Sequence, residues 1–325
     1  MPAGIHPPID AELAAALAAF GPGASDPLLT AEIPARREAR KALRLTDDDL
    51  RRGGAIEFTE LTVPGPDGAP DISLLVCKPA GLTTLAPAVF HIHGGGMVVG
   101  DNRTGMLTML DWIQETGVVV VSVEYRLAPE HPHPAPVQDC YAGLTWTAAH
   151  AGELGIDPGR LLIAGASAGG GLSAAVALMA RDRGGPALIG QMLGCAMLDD
   201  RNQTPSSYEL DREGMWDRTS NLTGWRALLG SDQGGPDVSP YAAPARAGDL
   251  HGLPPAYLDV GSVKTFRDEV LDYAARIWRA GGEAELHVWP GGYRGFESMA
   301  PAAAISVAAR ETRLAWLRRL LRAHG

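Results

Sequence analysis

The chain has 325 residues, with 28 Lys plus Arg against 38 Asp plus Glu, a formal net charge of −10 and 46% apolar residues. That composition excludes a largely disordered chain, and the acidic balance argues against nucleic-acid binding, which needs a basic face. Three cysteines, Cys77, Cys140 and Cys195, are too few and odd in number for a disulfide framework, and fit a reducing, cytoplasmic compartment.

The opening MPAGIHPPIDAELAAAL lacks the basic stretch and long apolar core of a signal peptide. Residues 9–20 and about 31–45 read as amphipathic helices ahead of any strand. AIEFTELTVPGPDGAPDISLLVCKPA reads as two strands joined by a Pro/Gly/Asp turn. PAVFHIHGGG, GVVVVSVEY, RLLIAGAS, LIGQMLGCAML, PPAYLDVGS and EAELHVWPGG follow as continuous apolar runs, as expected of strands buried on both faces. These runs are strand-length, so no membrane span is expected. Helical patterns lie between or after them, at roughly 104–115, 136–152, 168–182, 267–280 and 302–322. Alternating strand and helix predicts an α/β fold, a mostly parallel sheet covered on both sides. Residues 199–250 break this rhythm. They are polar and rich in Gly and Pro, with a short helical piece near Asn221–Leu229, and read as an insertion above the sheet.

Gly165-Ala166-Ser167-Ala168-Gly169 matches G-x-S-x-G between a strand and a helix. The glycines allow a tight turn that presents Ser167 at the strand's carboxyl end, before a helix N-terminus with unpaired N–H groups. His93-Gly94-Gly95-Gly96 follows the strand PAVFHI, and three glycines let backbone N–H groups converge on one spot, which suits an oxyanion hole for acyl transfer. A phosphate cradle is the weaker reading, because neither a P-loop nor a dinucleotide fingerprint is present. No metal or cofactor is expected.

With these two motifs, the segments EYRLAPEHPHPAPVQDC, AMLDDRNQTPSS, SPYAAPARAGDLHGLPPAYLDVGS and FRDEVLDYA resemble the hormone-sensitive-lipase-like (bacterial family IV) esterases of the α/β-hydrolase superfamily. The resemblance covers nearly the whole chain and is weakest in the first 50 residues. It implies a single α/β-hydrolase domain over residues 1–325, with a helical cap from about 1–50 and about 200–235. It implies Ser167 as nucleophile and the backbone N–H groups of Gly95, Gly96 and Ala168 as oxyanion hole.

The sequence departs from the family's pattern at two places. Lys264 in Gly261-Ser262-Val263-Lys264-Thr265-Phe266 stands where the family has its catalytic Asp, and Arg294 before Gly295-Phe296 stands where it has its His. Arg stays protonated in a protein, so Arg294 is no general base. Among the histidines, His93 reads as a holder of the glycine loop, His287 as a packed strand residue, and His133 as an unusual neighbour of the pocket. Asp268 and Glu269 are expected to cap or ion-pair the helix they begin. Two accounts of Lys264 and Arg294 stay open: a Ser–Lys pair in which a neighbouring cation keeps the amine neutral, or side chains neutralised by acids such as Asp199 or Asp268.

The reading is a carboxylic-ester hydrolase acting on a small acyl ester or lactone, with chemistry impaired or altered by the missing Asp and His. A ligand-binding pseudo-hydrolase, or a lyase or cyclase using Lys264, are the alternatives. Two cations at the pocket favour an anionic ligand. A homodimer is compatible with the sequence.

Overall fold

The computed structural model describes residues 6–19, 26–210 and 215–325. One eight-stranded sheet runs in the order β1-β2-β4-β3-β5-β6-β7-β8. The strands are β1 (Ile56–Val63), β2 (Ile72–Pro79), β3 (Ala86–Ile92), β4 (Val119–Glu124), β5 (Ile156–Ala166), β6 (Gly190–Gly194), β7 (Ala256–Gly261) and β8 (Ala284–Trp289). β1 and β2 form the expected antiparallel pair, β2 meets β4 antiparallel, and every pairing from β4 through β8 is parallel. β5 starts four residues before the apolar run that marked it, at Ile156, taking in Asp157-Pro158-Gly159.

Successive strand residues feed two separate cores, as the pleat demands. Val118 and Val120 pack with Met106, Leu110 and Trp316 on one face. Val119, Val121 and Val123 pack with Leu144, Val176 and Val270 on the other. The first face is covered by α4 (Met106–Thr116) and α12 (Ala304–Ala323). The second is covered by α5 (Ala135–Ala149), α7 (Ala168–Arg183) and α10 (Arg267–Arg279); α6 (Ala151–Leu154) is a single turn after α5. Every residue of β6 and β7 is buried, which is why these strands read as unbroken apolar runs.

The N-terminal region forms α1 (Ala11–Ala19), α2 (Ile33–Lys41) and α3 (Asp47–Arg51). The helix expected over about 31–45 is therefore shorter, and a second begins at Asp47. Thr46 starts that second helix with a capping box, its hydroxyl accepting from Asp49 N–H while the Asp49 carboxylate accepts from Thr46 N–H. Residue 20, the last of the first expected helix, lies outside the described residues. The inserted segment carries α8 (Pro205–Glu209) and α9 (Arg218–Leu229), and α11 (Phe296–Met299) follows β8.

Both irregular regions meet near the carboxyl ends of the strands. Leu28 N–H donates to Ser220 Oγ of α9 at 2.9 Å. Arg37 of α2 donates to Val98 O and Ala128 O, and forms a two-point pair with Glu130. Leu13 of α1 packs with Tyr293 and Phe296 beyond β8. Among the described residues no helix is long and apolar enough to cross a membrane.

Candidate active site

β5 ends at Ala166 and α7 starts at Ala168, so Ser167 alone makes the turn, with φ 58° and ψ −122°. A non-glycine residue in such a region costs of order 1–3 kcal/mol and persists only where neighbours enforce it. Here Ser167 N–H donates to Gly194 O at 2.8 Å, and Ser167 O accepts from the N–H groups of Gly171 and Met197, both at 3.0 Å. The helix start is pressed against β3: a Cβ on Gly169 would fall 2.0 Å from Ile92 O. Ser167 Oγ is buried without a hydrogen-bond partner.

The glycine loop after β3 lies on this turn. A side chain at Gly94 would meet Ala166 O at 2.7 Å and Ser167 Cβ at 3.5 Å. Among the described residues, no hydrogen bond joins the N–H of Gly95, Gly96 or Ala168 to a protein acceptor. His93 holds the loop, as expected from the sequence. Its ring stacks on Tyr125 with centroids 4.1 Å apart, its Nδ1 lies 2.8 Å from Gly94 O, and Tyr125 OH donates to His93 O. Burial pushes His93 down to about 4 and His91 down to about 3, so both rings are neutral at pH 7. His287 is a packed strand residue, stacked near Tyr257 and Trp289 and bonded to Glu285.

Lys264 and Arg294 lie on the loops after β7 and β8, and the two loops are tied together. Ser262 N–H donates to Trp289 O at 2.8 Å, Val263 N–H to Gly292 O at 3.0 Å, and Gly291 N–H to Ser262 Oγ at 2.8 Å. Ser167, Cys195, Lys264 and Arg294 thus leave four adjacent strands of the sheet, β5 to β8, at their carboxyl ends. Lys264 is buried, and its Nζ has no hydrogen-bond partner and sits 4.0 Å from the centre of the Phe266 ring. Burial, with Arg294 adding to it, pushes the Lys264 amine down to about 7. Since Ser167 Oγ and Lys264 Nζ are both without partners, no direct hydrogen bond joins them.

Arg294 places its guanidinium 4.9 Å over the ring of Trp216. Burial pushes it down to about 10, with Arg40 and Arg36 acting in the same direction and Cys195 opposing. Trp216 in turn covers the glycine loop: a Cβ on Gly96 would fall 2.2 Å from its ring. Its carbonyl accepts from Thr265 Oγ1 at 2.7 Å. The inserted segment therefore bridges the loop of Gly96 and the loop of Lys264. Sequence reasoning missed Trp216, Arg36 and Arg40, because no local motif marks them.

Neutralisation of Lys264 and Arg294 by Asp199 or Asp268 does not occur. Asp199 pairs with Arg201, and Asp268 pairs with Arg267 and accepts from Ser206 N–H of α8. Asp268 thus ion-pairs the helix it begins, as expected, whereas Glu269 does not; it is buried and accepts from Leu198 N–H beyond β6. These carboxylates are used to fasten the insertion and the β6 loop.

Residues 89–298, which include the strained serine between β5 and α7, match the family described as alpha/beta hydrolase fold. The chain belongs to the α/β-hydrolase family. It is 38% identical over 258 residues to carboxylesterase NlhH of Mycobacterium tuberculosis, covering 77% of this chain and 79% of that protein. It is 34% identical over 251 residues to esterase LipI of the same organism, covering 76% and 78%. Among solved structures, a bacterial heroin esterase superposes with a TM-score of 0.89 at 38% identity, covering 96% of this chain and 98% of that one.

Proposed function

We propose that this α/β-hydrolase is a carboxylic-ester hydrolase of the hormone-sensitive-lipase-like group, acting on small acyl esters through Ser167, with Lys264 as the base in place of a histidine. The observation that carries the reading is the Lys264 amine, buried, without a hydrogen-bond partner and pushed down to about 7. A lysine so placed is about half free of its proton near neutral pH, so a neutral amine is available as a general base. The esterase names of the relatives support the reaction class.

In this mechanism neutral Lys264 takes the Ser167 hydroxyl proton, and Oγ attacks the ester carbonyl. The developing oxyanion is held by the N–H groups of Gly95, Gly96 and Ala168. The lysine then gives its proton to the leaving alkoxide, and water repeats the sequence on the acyl-enzyme. The missing direct bond between Oγ and Nζ requires a bound substrate, a side-chain rotation or a water to complete the path, as is common before substrate binds. The N-terminal helices and the segment about 200–235 act as the cap, with Trp216 closing it over Gly96.

The test is kcat/KM for 4-nitrophenyl acetate and butyrate from pH 5.5 to 9.5, in the parent, Ser167→Ala and Lys264→Met. The parent is expected to gain activity with rising pH through an apparent pKa near 7, and each variant to lose about 10³-fold or more. An inactive parent overturns the hydrolase reading and leaves the pocket as a ligand-binding one. An active Lys264→Met variant with the parent's pH profile removes Lys264 from the chemistry.

A further inference from the structure

We propose that Arg36 and Arg40 of α2, with Arg294, form a recognition site for a carboxylate carried by the substrate, so that the preferred ester is an anionic one. This rests on the pocket of Ser167 being the substrate site and adds the substrate's charge class to it.

The chain holds ten more acidic than basic groups, and many of its arginines use them, although Arg183, Arg218 and Arg276 have ring or carbonyl partners instead. Arg37 pairs with Glu130, Arg103 with Asp47, Arg126 with Asp139, Arg246 with Asp200 and Arg313 with Asp259. Against that surplus, no carboxylate of the described residues lies within ion-pair distance of Arg36, Arg40, Lys264 or Arg294. Two acids within electrostatic reach of Lys264 are Glu269, which accepts from Leu198 N–H, and Asp217, which accepts from Ser220 N–H.

The cations converge from separate elements. Arg36 and Arg40 stand four apart on α2 and share one face, an arrangement in which like charges repel. Both lie within electrostatic reach of Arg294, whose guanidinium is laid flat on Trp216. Arg37 points elsewhere and bolts α2 to Val98 O, Ala128 O and Glu130, which fixes the arginine face in place. Half-buried guanidinium groups held together with no carboxylate of the described residues in ion-pair range repel one another. A carboxylate accepting paired N–H donors from them removes that repulsion and gains charge-assisted hydrogen bonds. Trp216 links this site to Gly96, so an acid group held at the arginines leaves the ester end of a short substrate near Ser167.

The test uses titration calorimetry with two pairs of unreactive amides. 4-Acetamidobenzoate against 4-acetamidobenzamide carries the charge on the leaving-group side. The mono-anilide of adipic acid against its primary amide carries it on the acyl side. At low salt at least one anion is expected to bind about tenfold more tightly than its neutral twin, a preference that shrinks as ionic strength rises. Arg36→Gln with Arg40→Gln is expected to reduce the preference to about twofold. Arg40→Lys, which keeps the charge, should retain most of the preference. Equal binding within both pairs overturns the proposal, as does a preference that survives in the double variant. A parent that turns over no ester yet shows the arginine-dependent preference upholds the anion site and removes only the catalytic reading.

Discussion

Lys264 Nζ rests 4.0 Å from the centre of the Phe266 ring, two residues along the same loop, with no oxygen to accept its protons. A desolvated cation–π contact of this kind is worth about 2 kcal/mol, less than the burial of an ammonium costs. The folded amine therefore titrates near 7, against 10.5 for an ordinary lysine. Between those values the unfolded chain binds a proton that the folded chain does not. The penalty on folding is thus full below pH 7 and is relieved as pH rises toward 10.5. Lys264→Met is expected to raise stability at pH 6 by about 2–4 kcal/mol and to narrow that gain at pH 9.5, read from urea midpoints at the two pH values.

Restoring the ordinary relay gives a second expectation. Lys264→Asp with Arg294→His supplies a carboxylate on the β7 loop and an imidazole on the β8 loop, which are already hydrogen-bonded to one another. The double variant should exceed both singles in kcat/KM for 4-nitrophenyl acetate by at least about tenfold, because such groups act as a unit. Arg294→His alone should exceed Lys264→Asp alone, which removes an amine without supplying any base. A folded double variant no faster than Lys264→Asp counts against an intact oxyanion pocket.

Gly96→Ala tests the contact with Trp216. The backbone there has φ +64°, and the new methyl would fall 2.2 Å from the indole. Displacing the loop should misplace the N–H proposed above as an oxyanion donor and lower kcat by about 10²–10³. Pairing it with Trp216→Ala should recover part of the lost thermal stability, since the clash is gone, while the φ strain remains.

The two buried histidines should weaken the fold in acid. His91 and His93 titrate near 3 and 4 when folded, against 6.5 in an ordinary histidine. Below pH 6.5 the unfolded chain takes up protons that the folded chain refuses. The part of stability that these two rings control is therefore complete above that value and falls by about 1.4 kcal/mol per pH unit per histidine on the way to pH 4, while Glu124, pushed up to about 7 by burial, acts in the opposite sense. Urea midpoints between pH 7 and 4.5 measure this, and His91→Gln should flatten the slope.

The parallel strands were legible because both faces are buried, which writes them as unbroken apolar runs such as Gly117 to Val123. The turn at Ser167 was legible because its glycines allow contacts that no Cβ would survive. α3 was missed, although Thr46-Asp47-Asp48-Asp49, just past the helix expected over about 31–45, carries a capping signal. α8 left no periodic trace in its five residues, of which Ser206 is held by the distant Thr265 O and Ser207 by the nearby carbonyls of Asn202 and Thr204. The approach of Arg36 and Arg40 to Arg294 depends on how α2 is bolted down by Arg37, a tertiary fact with no local signature.

Asp10 N–H donates to Gly291 O at 3.3 Å, Tyr293 OH donates to Leu13 O at 3.3 Å, and Glu12 accepts from Ala304 N–H at 2.9 Å. The first helix is therefore a splint on the loop that ends in Arg294, although it adds no strand and covers neither face of the sheet. A protease nick after Ala19, or a bulky tag fused close to Asp10, should act as a kinetic lesion. The melting transition of the sheet should barely move, while turnover drops as the Arg294 loop loses its brace. Enzyme preparations differing only at their amino ends should then share one fold and disagree in rate.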